Sequence, residues 1–104
     1  MSLNSQEIAA TRSELMANYQ LAGLDHPAIA RALGITPGRV RGALGLIEPV
    51  NSVDVWAVRD LLELAIERAG KQPLAFSALT EQIRPRARGW FPLRNITVSD
   101  LDLV

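Results

Sequence analysis

The stretch "AIARALGITPGRV", residues 28–40, limits the folds open to this chain more than any other feature. Two helices joined by a turn of three or four residues pack at a steep angle only where the side chains between them are small. Ala30 allows close approach from the first helix, and Gly34 permits a left-handed backbone at the turn. Ile35 plugs the angle, and Val40 with Ala43 closes the packing from the second helix. Thr36 followed by Pro37 reads as a cap and a first helical residue, where the missing proline N–H costs nothing. Ile29, Ala30, Leu33, Gly34, Ile35, Val40 and Ala43 are therefore the expected buried positions of a helix–turn–helix over about residues 25–45.

Start and stop signals extend the pattern on both sides. Residues 5–22 read as a helix capped by Ser5, with Ile8, Leu15, Tyr19 and Ala22 on one face and Gly23 as its stop. Asp25 caps the next helix, with Pro27 in its first turn. Asn51 or Ser52 opens a long helix to about Ala69, ended by Gly70 and Pro73. Its apolar face, including Val55, Trp56, Val58, Leu61, Leu62 and Ile66, is wider than one core stripe needs. Residues 55–66 are therefore the expected homodimer interface, unless the C-terminal unit covers them. That unit spans about residues 73–104, with a short helix over Ser77–Ile83. Within it, "GWFPLRNITV" allows a short β-hairpin turning at Pro92–Asn95. The expected fold class is mainly α, a single helix–turn–helix domain over residues 1–104.

Eleven basic residues balance eleven acidic ones, which counts against a protein that coats nucleic acid without sequence preference. The distribution says more than the sum. His26 to Gly45 holds three arginines and no acid, Gln82 to Ser99 holds four and no acid, and acids gather at Asp54, Asp60, Glu63 and Glu67. No apolar run approaches the roughly 20 residues that span a bilayer. The first residues lack the pattern of an export signal, and the chain has no cysteine. A cytoplasmic location is the expectation.

In a helix–turn–helix the start of the second helix enters the major groove. Thr36, Gly38, Arg41 and Gly42 fall at outward positions there. Arg41 is the expected reader of a base edge, because a guanidinium matches guanine bidentately; Arg31 and Arg39 are the expected phosphate contacts. Arg84, Arg86 and Arg88 are secondary nucleic-acid candidates around Trp90 and Phe91, which read first as core anchors. The sole histidine, His26, has no second histidine or cysteine to complete a metal site. No nucleophile elbow or phosphate-cradling glycine loop occurs. The expected function is a non-catalytic transcriptional regulator bound to double-stranded DNA, without cofactor or metal. The rival is a protein-interaction adaptor whose helix–turn–helix is only a scaffold.

The opening "MSLNSQE", the segment "LAGLDHPAIARALGITPGRV", and "PLAFSAL" followed by the "WF" pair resemble a family of small bacterial proteins, domain of unknown function 2316. The likeness covers roughly residues 1–95, with "RPRARG" and the tail "SDLDLV" as departures. It implies a helix–turn–helix fold and a regulatory role, with no catalytic residues to carry over.

Overall fold

Local capping decides where the helices begin, and the computed structural model, which describes residues 3–104, shows six of them. Helix α1 covers Ser5–Ala22. Its cap is Asn4 rather than Ser5, because Asn4 can form a reciprocal box with Glu7: the Glu7 N–H donates to Asn4 Oδ1 at 2.8 Å, and the Asn4 N–H donates to Glu7 Oε1 at 2.9 Å. Helix α2 covers His26–Leu33 and starts at Asp25, whose carboxylate accepts from the Ala28 N–H at 2.9 Å. Helix α3 covers Pro37–Gly45, capped by Thr36. Helix α4, Ser52–Arg68, is capped by Asn51.

The turn between α2 and α3 is Gly34–Ile35–Thr36. Gly34 has φ of +67° and the Ile35 N–H donates to the Ala30 carbonyl, so the chain reverses in one left-handed step. Ile29, Ala30, Leu33, Val40 and Ala43 are buried, and Ile35 is half-buried. Gly34, expected inside, is exposed; its role is conformational, since a Cβ there would meet no atom within 4 Å. Gly34→Val should therefore cost about 1–3 kcal/mol through backbone strain alone, read as a lowered thermal midpoint. A variant melting with the parent contradicts the turn assignment.

Helix α3 ends on Gly45, but the left-handed residue that caps it is not a glycine. The left-handed residue is Leu46, at φ of 48°, held there by its buried side chain. The Arg12 guanidinium, from α1, donates to the Gly45 carbonyl at 2.8 Å and so satisfies an orphan acceptor at this helix end.

Helix α4 is the centre of the fold, with α1, α2, α3 and α6 all packed on it. Val58, Leu61, Leu62 and Ile66 are fully buried, and Val55 and Trp56 nearly so. The wide apolar face is thus covered from within the chain. Of the apolar residues over 55–66 only Leu64 and Ala65 keep partial exposure, so most of the face expected to form a dimer is spent inside the chain.

The C-terminal unit differs most from expectation. No helix forms over Ser77–Ile83: the chain entering it is strapped to α1, and its Leu79 carbonyl and Glu81 are held by Arg59 of α4. Asn18 donates to the Leu74 carbonyl at 3.0 Å and accepts from the Leu74 N–H at 2.8 Å. Glu14 likewise accepts from the Ser77 N–H and hydroxyl at 3.1 and 2.8 Å. Helix α5 follows at Arg84–Trp90, with Pro85 in the first turn, where proline is tolerated. The expected β-hairpin is not formed, since Gly89 and Trp90 belong to α5 and Val98–Leu101 forms α6. Among the described residues there is no strand.

Candidate nucleic-acid interface

Ten arginines are spread along the sequence, and the fold divides them into fasteners and free side chains. Six are engaged. Arg12 holds the end of α3, and Arg94 donates to the Leu33 carbonyl at the end of α2. Arg68 pairs with Asp102 at 3.0 Å. Arg39 meets Asp54 in a two-pronged pair, Nε to Oδ2 at 2.9 Å and Nη2 to Oδ1 at 2.8 Å. Asp54 lies in the first turn of α4 with its side chain 5% exposed, so this pair fixes the start of α3 against the start of α4.

The last two fasteners form one network. Arg59 is 3% exposed, donates to the Leu79 carbonyl at 2.8 Å, and pairs with Asp60, Glu63 and Glu81. Its guanidinium also lies 5.1 Å from the Trp56 ring centroid and 4.8 Å from that of Phe76. Arg84 pairs with Asp60 and Glu81 at 2.7 and 2.8 Å and also lies over the Trp56 ring, 4.8 Å from its centroid. Burial, together with the neighbouring carboxylates, pushes the Glu63 carboxyl up against the opposing pull of Arg59. The hydrogen bond from Arg84 draws Glu81 down. Stability from Glu81 is thus present above the usual carboxylate range and is lost as pH falls through its lowered value. Asp60, Glu63 and Glu81 bring oxygens within 4.8 Å of one another, as a metal site would, but two guanidiniums already supply the counter-charge.

Arg84, a sequence candidate for nucleic acid, is therefore turned into the fold. Arg86 and Arg88 stay exposed, without ion pairs among the described residues. Trp90 is no core anchor: it is 68% exposed at the end of α5, while Phe91 is half-buried. No local pattern separates these two neighbours; burial follows from where α5 stops.

Arg31 and Arg41 are the other free arginines, exposed on α2 and α3 with no hydrogen bond or ion pair among the described residues. Thr36 and Gly38 are exposed beside them, and Gly42 is half-buried. The Thr36 hydroxyl accepts from the Arg39 N–H at 3.1 Å, which leaves its own hydrogen to donate. The glycines differ in what holds them. A Cβ at Gly45 would meet Ile47 at 3.1 Å, an internal reason for glycine. At Gly38 it would meet only the Thr36 hydroxyl, at 3.8 Å, and at Gly42 nothing within 4 Å. Neither has positive φ. A helical glycine costs about 0.5–1 kcal/mol relative to alanine, and nothing among the described residues accounts for that cost at residues 38 and 42.

No curated protein and no solved structure matches this chain. A family profile does, over residues 1–92. Among the described residues, no helix is long and apolar enough to cross a membrane. By that match over most of its length, the chain belongs to the bacterial family described as "Uncharacterized protein conserved in bacteria (DUF2316)".

Proposed function

We propose that this protein is a non-catalytic regulator that binds double-stranded DNA through the start of α3. The observation that carries this reading is that α3 keeps glycine at residues 38 and 42 without an internal need, on the helix that also carries the unpaired Arg41 and next to α2 with its unpaired Arg31. Glycine on an outward helix face lets another molecule's backbone come close. Cations without partners can meet phosphate without first breaking an ion pair. Arg41 is assigned to a base edge and Arg31 to a phosphate. Arg39 acts chiefly by setting α3 against α4 through Asp54, with its exposed half toward the same phosphate backbone.

The test measures duplex affinity against salt, using a site enriched from a random pool. Arg41→Ala should cost about 1–3 kcal/mol on that site and much less on random duplex. Arg31→Ala should weaken both equally and lower the salt slope by about one. Arg86→Ala with Arg88→Ala should give a smaller loss, independent of sequence. Gly38→Ala and Gly42→Ala provide the sharper contrast. Each should raise the stability of the free protein by about 0.5–1 kcal/mol while weakening duplex binding. The adaptor reading expects no duplex binding at low salt by the parent or any variant, and that result overturns the proposal.

A further inference from the structure

We propose that the cleft between the start of α1, the α3–α4 connection and the end of α5 binds a small aromatic amine of about one ring. The cleft measures about 200 Å³, and its apolar wall comes from separate parts of the chain: Ile8, Leu46, Val55 and Phe91. An apolar cavity of about 150 Å³ is enough to admit benzene. One ring with a short substituent therefore fits, and a fused polycyclic molecule does not.

The polar residues at this cleft give the second half of the proposal. They are Glu48 and Ser52, and no arginine, lysine or histidine lines the cleft with them. Glu48 is exposed and takes part in none of the ion pairs among the described residues. An unpaired carboxylate at the mouth of an apolar cleft attracts an ammonium and repels a carboxylate. The contrast with the acids of α4 is direct, since those already have Arg59 and Arg84 as counter-ions. The bound molecule would touch Leu46, which caps the end of α3, and Ser52, which begins α4, and so would rest on the connection between them.

The experiment uses the full chain carrying Trp90→Phe, which leaves Trp56, a residue of the cleft wall, as the only indole. Benzylamine, benzyl alcohol and benzoate are each titrated while Trp56 emission and heat of binding are followed. Saturable binding in the order benzylamine, benzyl alcohol, benzoate is expected. Glu48→Gln should weaken benzylamine by about two- to five-fold, the range of an exposed ion pair, and leave benzyl alcohol unchanged. Val50→Phe, which fills the cleft from a half-buried position, should abolish all binding. No saturable change, equal affinity for amine and benzoate, or binding that survives Val50→Phe each overturns the proposal. If Val50→Phe fails to fold, the Glu48→Gln series decides. DNA takes no part in this titration, so its outcome is separate from that of the nucleic-acid reading.

Discussion

Leu62→Glu is expected to unfold the chain rather than to release a folded monomer. Leu62 is fully buried in the centre of α4, among side chains drawn from the rest of the fold. A carboxylate placed there has no cation or donor to replace water, and such burial ranks with the largest single-residue costs, about 4 kcal/mol or more. A domain of this size has roughly 5–15 kcal/mol of stability in all. Leu62→Ala should cost about 2–5 kcal/mol and keep the same association state as the parent. Circular dichroism and sedimentation check both together. A soluble, helical, smaller species from Leu62→Glu would mean that the face is an interface and that its cover in the isolated chain is incidental.

Arg59→Met should cost about 3–5 kcal/mol, the range for removing one member of a buried ion pair. The long apolar stem is kept, so the loss comes from the guanidinium. Asp60, Glu63 and Glu81 lose a shared cation, the Leu79 carbonyl loses a donor, and Trp56 and Phe76 lose the charge between them. Arg59→Lys should recover only part, because an ammonium cannot reach several partners while stacking. Because Leu79 and Glu81 belong to the segment before α5, that segment should lose amide protection before α1–α3 do. Uniform protection across the molecule would show that the network does not hold the C-terminal unit in place.

The division between what the sequence disclosed and what it hid follows the range of the interactions. Helices α1 to α4 were legible because their ends are set within four residues, by Asp25 and Ala28, Thr36 and Arg39, or Gly34 in the turn. The Asn4–Glu7 box is equally local, and Ser5 beside it carries the same kind of capping side chain. The C-terminal unit was illegible because Asn18 and Glu14 fix Leu74 and Ser77 from more than fifty residues away, so that the helix expected over Ser77–Ile83 gives way to partners with no pattern in its own sequence. The candidate interface was half visible. Its basic residues could be named, but which were already spent on Asp54 or Asp60 depended on how α3 and α5 meet α4.

The start of α3 as the DNA contact is tested most directly by following each backbone amide of the labelled protein as duplex DNA is added at low salt. The account predicts that the amides of Arg31, Thr36 and Gly38 to Gly42 shift first and furthest, and return as salt is raised. Shifts confined to α5 around Arg86 and Trp90, or none at all, would contradict it.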